Sequence, residues 1–147
     1  METLKITKVR AGAKIPARAT QGSAGLDLCA CLDEPLTLRG GEAVRIPTGL
    51  AVQLPSERYA AFVFARSGLA TKHGIGLTNA VGVIDSDYRG EIQVGVINQF
   101  AESYTISPGE RIAQLVVMPV SVMPVEECET LDETERGAGG FGSTGKQ

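Results

Sequence analysis

Ile75-Gly76-Leu77-Thr78-Asn79-Ala80-Val81-Gly82-Val83-Ile84 leads through Asp85-Ser86-Asp87-Tyr88-Arg89-Gly90-Glu91 into Ile92-Gln93-Val94-Gly95-Val96-Ile97. Two apolar, alternating runs around a polar turn read as a β-hairpin, with residues 75–84 leading in and 92–97 leading out. The same period of two recurs at residues 4–9, 43–46, 50–54, 59–65, 104–106 and 112–117. Turn signals punctuate these runs at short intervals: Arg39-Gly40-Gly41, Pro47-Thr48-Gly49, Pro55-Ser56 and Ser107-Pro108-Gly109. One short helix, a turn or two near residues 67–72, is the only helical expectation. No helices are left to serve as crossovers, so a doubly wound parallel sheet is excluded. The expected fold is all-β, a distorted jelly roll or β-barrel of short, mostly antiparallel strands.

The chain has 147 residues, a size that suits one domain. Its single histidine, His73, rules out a His-rich zinc site and leaves a Ser-His-Asp triad only that residue. Three cysteines, Cys29, Cys31 and Cys128, cannot form an all-cysteine tetrahedral zinc site, and an odd count argues against a disulfide framework. Cys29 and Cys31, two apart on a strand, read as buried free thiols. A net charge of −3 offers no general field for nucleic acid. No stretch approaches the ~20 apolar residues of a membrane span, and the first ten residues lack the apolar run of a signal peptide. The expectation is a cytoplasmic protein with neither nucleic acid nor membrane as partner.

Residues 1–127 read as one β domain and residues 128–147 as a flexible C-terminal arm. Five of the 18 glycines crowd into residues 137–145, where ordering costs the most entropy. Phe141 is a lone aromatic among them. With Arg136, Ser143 and Thr144 beside it, such an arm suits a flap closing over an aromatic, phosphorylated ligand.

Chemistry concentrates in a few short segments. In the quoted hairpin, Asp85 and Asp87 are explained by turn chemistry alone, yet with Tyr88 they also suit a general base beside a sugar-stacking ring. Arg66-Ser67-Gly68 closes an apolar run with a guanidinium, a hydroxyl and free N–H groups, all of which match phosphate oxygens. Asp27, in Ala24-Gly25-Leu26-Asp27-Leu28, is a carboxylate in an apolar strand-like setting, bonded locally or near a cation. Gln114 falls on the polar phase of the run that Pro108-Gly109-Glu110-Arg111-Ile112-Ala113 feeds.

Taken together and in order, these segments resemble the five motifs of the trimeric deoxyuridine triphosphatase (dUTPase) family: AGLDLCA from Ala24, ARSGLA from Ala65, NAVGVIDSDYRGEI from Asn79, PGERIAQL from Pro108 and RGAGGFGSTG from Arg136. They cover about a third of the chain, and none departs from the family's chemistry. The resemblance implies hydrolysis of dUTP to dUMP and pyrophosphate with Mg²⁺, in a homotrimer whose sites are shared between subunits. It implies that Asp85 polarises the attacking water and that Asp27 meets the metal through water. Ser67, Gly68 and Gln114 would contact the phosphate chain, with Arg66 beside them. Asn79 and the backbone near Val83, Ile84 and Gln93 would read uracil, and Tyr88 would pack on deoxyribose and exclude a 2′-hydroxyl. From the arm, Arg136, Gly142, Ser143 and Thr144 would reach the γ-phosphate end while Phe141 covers the base. The related dCTP deaminase carries Arg-Ser-Ser in place of Arg66-Ser67-Gly68, and a non-catalytic nucleotide sensor has no use for Asp85, Tyr88 and Phe141 together.

Overall fold

A computed structural model of the chain describes residues 2–145. Along it run β1 (Lys5–Lys8), β2 (Leu26–Cys29), β3 (Leu36–Leu38), β4 (Ala43–Pro47), β5 (Leu50–Gln53) and β6 (Tyr59–Phe64). Helix α1 (Ser67–His73) follows, then β7 (Ile75–Leu77), β8 (Gly82–Ile84), β9 (Gln93–Asn98), β10 (Tyr104–Ile106) and β11 (Arg111–Pro119). The strands form four small sheets, ordered β1-β5, β10-β3, β2-β11-β6-β8 and β4-β9-β7. Each ladder among the described residues is antiparallel. The architecture is the expected all-β jelly roll, distorted and built of short strands.

Alternation buries one face of each strand. Leu28, Ile46, Leu50, Ile75, Val96, Ile106, Ile112 and Leu115 are all but inaccessible and share one core. Without tryptophan, these branched side chains fill the space between sheets, each contributing about 1.5–3 kcal/mol by leaving water. Asn98 is fully buried yet satisfied: its Nδ2 donates to Leu38 O and Glu102 O, and its Oδ1 accepts from the Phe100 N–H. It thereby ties the β10-β3 pair to β9.

Three expectations are corrected. The quoted stretch does not form a simple hairpin. A turn at Asn79-Ala80 breaks the incoming strand, with Ala80 at φ 59° and the Val81 N–H bonded to Asn79 O at 2.6 Å. As a result β7 pairs with β9, β8 pairs with β6, and no ladder joins β8 to β9. The strand-like setting of Asp27 is β2, whereas the three-residue β3 is too short for alternation to reveal. Finally, β2 ends at Cys29 and Cys31 lies beyond it, its N–H donating to Pro47 O. Both thiols are free and half-buried rather than buried, and burial pushes the Cys29 thiol up from its ordinary pKa.

The last backbone hydrogen bond between the C-terminal segment and the β domain runs from Val120 N–H to Arg58 O. Beyond it, residues 121–138 are exposed and the described backbone bonds are local, such as Gly139 N–H to Arg136 O. Met1, at the start of the expected domain, and Lys146 and Gln147, at the end of the expected arm, lie outside the described residues. No helix among the described residues is long and apolar enough to cross a membrane.

Candidate active site

The failed hairpin makes a cleft. Ile92 is claimed by the segment before and at the start of β5: its carbonyl accepts from Thr48 Oγ1 at 2.7 Å, and its N–H donates to Leu50 O at 2.8 Å. That draws β9 towards one sheet while β6 holds β8 in another. Between them lies a cavity of about 470 Å³, within the range typical of small-ligand pockets. Asn79, Val83, Ile84, Asp85, Tyr88 and Gln93 all line it, so six of the expected residues converge here. Because β8 is an edge strand, backbone N–H and C=O groups along it are left for a ligand.

Local contacts fix the rim. The Tyr88 hydroxyl donates to Glu91 O at 3.0 Å, and its N–H reaches Asp85 O at 3.2 Å. Gly90 leaves room for the ring, since a Cβ there would collide with it. Arg89 braces the loop by donating to Ser86 O and Tyr88 O. Asp85 stays exposed at the cleft mouth. Glu91, also lining the cleft, is bonded to Arg10 Nε at 2.6 Å, to the Gly49 N–H and to Gln93 Nε2. The Arg10 guanidinium holds this carboxyl below the usual carboxylate range, against the opposing effect of partial burial.

A second group gathers where β2, β6 and β11 meet. Asp27 and Gln114 stand opposite each other in the β2–β11 register. The Asp27 carboxylate accepts from Arg66 Nε at 3.0 Å and from the Arg111 guanidinium at 3.1 Å. Gln114 Nε2 donates to Ala65 O at 2.9 Å, anchoring the turn that enters α1. Ser67 and Gly68 occupy the first turn of that helix, where N–H groups have no intrahelical acceptor. Among the described residues, none of this group lines the cleft. The arm supplies a third group: Arg136, Phe141, Gly142, Ser143 and Thr144 are exposed, Phe141 wholly so.

For a divalent cation, the donor set is informative. No cluster of three or more His, Cys, Asp or Glu residues with metal-binding geometry occurs among the described residues. Both Asp27 oxygens already face guanidinium groups, which oppose a directly coordinated cation nearby. Such a donor set fits a Mg²⁺ ion that keeps its water better than one ligated directly by Asp27. Sequence reasoning missed Arg45, Glu91 and Arg111. Arg45 carries no local signal; the β4–β9 register sets it opposite Gly95 at the cleft. Arg111 carries none either: Leu115-Val116-Val117-Met118 departs from alternation as much as Ile112-Ala113 does, so the bulge shows only in the β2–β11 register.

The dUTPase family model matches residues 11–145. The deoxyuridine 5'-triphosphate nucleotidohydrolase of Desulfitobacterium hafniense is 58% identical over 132 residues, covering 90% of this chain and 87% of its own. That of Paraburkholderia xenovorans is 52% identical over 143 residues, 97% of each chain. A mutant dUTPase of Staphylococcus bacteriophage 80alpha, solved with dUpNHpp, superposes with a TM-score of 0.88 at 29% identity, covering 97% of this chain and 98% of that one.

Proposed function

The chain belongs to the dUTPase family, and from that membership we propose how its own residues hydrolyse dUTP to dUMP and pyrophosphate. Uracil enters the cleft against the open edge of β8. There the backbone of Val83 and Ile84, with Asn79 and Gln93, meets its hydrogen-bonding edge. A carbonyl sits on uracil where cytosine has an amino group, so fixed donors reject cytosine by leaving polar groups unpaired. The Tyr88 ring, pinned through its hydroxyl, packs on deoxyribose and leaves no space for a 2′-hydroxyl.

Asp85 orients and polarises a water molecule at the cleft mouth and accepts its proton as the oxygen attacks the α-phosphorus in line. The bond to the bridging oxygen breaks and pyrophosphate leaves with the electron pair. Phosphoryl transfer chiefly needs a placed nucleophile and neutralised oxygens, so one carboxylate serves without histidine. Arg66, Ser67, Gly68 and Gln114 engage the phosphate chain; Asp27 would hold a Mg²⁺ ion through water, and that ion would supply neutralisation of the phosphate charge. The arm closes last, with Arg136, Gly142, Ser143 and Thr144 on the γ-phosphate end and Phe141 over the base.

In a single chain these three groups lie apart. A homotrimer in which each site draws on neighbouring subunits, the arm reaching across, accounts for that separation. It also covers Val122, Met123, Val125 and Leu131, which are 64–99% exposed. By consuming dUTP the enzyme limits uracil incorporation into DNA and supplies dUMP for thymidylate synthesis. The observation that carries this reading is the open β8 edge with Asp85 and Tyr88 at one cleft. Asp85→Asn keeps affinity for a non-hydrolysable dUTP analogue while turnover falls by about two orders of magnitude. Near-normal turnover in that variant, measured by pyrophosphate release, removes Asp85 from the mechanism, and ammonia release from dCTP by the wild type removes the activity.

A further inference from the structure

We propose that Arg111 is a positioning residue for the phosphate side of the site, brought to Asp27 by a bulge in β11; the inference rests on the dUTP-hydrolysis reading above. Along β11, Leu115 is buried, Gln114 faces outward opposite Asp27, and Ala113 is buried opposite Leu28. Strict alternation would put Ile112 on the Asp27 face and turn Arg111 into the core beside Ala30, which is 2% exposed. The register instead slips between Ala113 and Arg111. Ile112 and Ala113 are both buried, at 1% and 0% exposure, and Arg111 pairs with Cys29 on the same face as Asp27 and Gln114. Bulges beside active sites re-aim side chains in this way.

The re-aimed guanidinium completes a lock between β2, β11 and the N-cap of α1. Arg66 takes one Asp27 oxygen and Arg111 the other, at 3.0 and 3.1 Å, so the carboxylate cannot turn to offer both oxygens to Arg66. Arg66 also donates to the Arg111 carbonyl at 3.4 Å, which ties the residue preceding Ser67 and Gly68 to the bulge itself. One carboxylate between two guanidiniums leaves a surplus positive charge facing the polyphosphate. The Arg111 side chain is 54% exposed, so its ion pair adds little to stability. Its effect falls on orientation and charge.

The experiment compares wild type, Arg111→Gln and Arg111→Lys in the full chain. Melting temperature and titration with dUpNHpp and with deoxyuridine are read without metal, and dUTP turnover is read with Mg²⁺. For Arg111→Gln we expect kcat to fall about tenfold with KM changed less than about threefold, the scale seen when an outer partner of a site is lost. Metal-free affinity for dUpNHpp drops by at least about threefold, while deoxyuridine affinity and melting temperature hold. Arg111→Lys restores most of the dUpNHpp affinity. Wild-type kcat and dUpNHpp affinity in Arg111→Gln overturn the proposal, and so does a variant that unfolds or loses deoxyuridine binding in step, because the pair is then structural. Absence of dUTP turnover in the wild type instead refutes the activity, and the metal-free comparison still decides the role of Arg111.

Discussion

Replacing Gly25 by alanine tests whether close packing on Gln114 holds the phosphate-side turn. An added Cβ at Gly25 would sit 2.5 Å from Gln114 Oε1, 3.2 Å from its Cβ and 3.3 Å from its Cδ. Gln114 therefore has to swing away, and swinging away breaks its 2.9 Å bond to Ala65 O. Losing that bond costs about 1 kcal/mol. Crowding a packed site adds roughly 1–3 kcal/mol. The total of about 2–4 kcal/mol corresponds to a fall in melting temperature of roughly 4–16 °C for a chain of this size. Gly22→Ala, three residues upstream with nothing within 4 Å of its Cβ, is the control and should shift the midpoint little. Scanning calorimetry at fixed protein concentration, with dUTP turnover in parallel, gives both readouts. A double-mutant cycle with Gln114→Ala isolates the contact: truncation removes the Oε1 and Cδ overlaps and leaves only the 3.2 Å approach to the residue-114 Cβ, so Gly25→Ala costs clearly less in the Gln114→Ala background than in the wild type. If Gly25→Ala matches Gly22→Ala, or if its penalty simply adds to that of Gln114→Ala, the packing argument is wrong.

Truncation before Arg136 should impair dUTP turnover while leaving the melting temperature nearly unchanged, because the described bonds of that segment are local; a fully active truncated chain refutes the arm's role. Tyr104 is half-buried and bonded to Glu110, and both burial and that carboxylate push its pKa up to about 12. Since the folded state favours the neutral phenol, the resulting stability is intact below the ordinary value near 10 and is lost as pH rises from there through about 12. Tyr104→Phe should therefore flatten the alkaline limb of the melting profile, and an unchanged slope, with phenolate titration followed by ultraviolet absorbance, contradicts the assignment.

How much was legible in the sequence differs from element to element. The strand at 104–106 appears in the structure with the same bounds, and those at 43–46 and 59–65 differ by one residue at one end, because each carries its alternation in local composition. The short helix after Arg66 was equally readable. Residues 75–84 were not. Their apolar spacing permits one long strand, and only competition for backbone partners breaks it: β6 captures β8, while Thr48 and Leu50 capture Ile92.

The C-terminal segment shows the same division. Its glycines and its solitary Phe141 mark it as unlike the rest of the chain, and in the structure Phe141 lies fully exposed. Alternation alone keeps Cys31 on the strand with Cys29, and its bond to Pro47 O takes it off.

By itself the sequence determined the all-β class, most of the strands and the set of residues that resemble the family's motifs, because periodicity, turn chemistry and motif order are written locally in the chain. Tertiary structure alone decided that the central hairpin would open into a cleft, that Arg45 and Glu91 would border it, and that a one-residue slip would turn Arg111 towards Asp27. Those outcomes depend on which distant backbone groups satisfy one another's hydrogen bonds, and on the expense of burying a guanidinium, neither of which any single segment encodes.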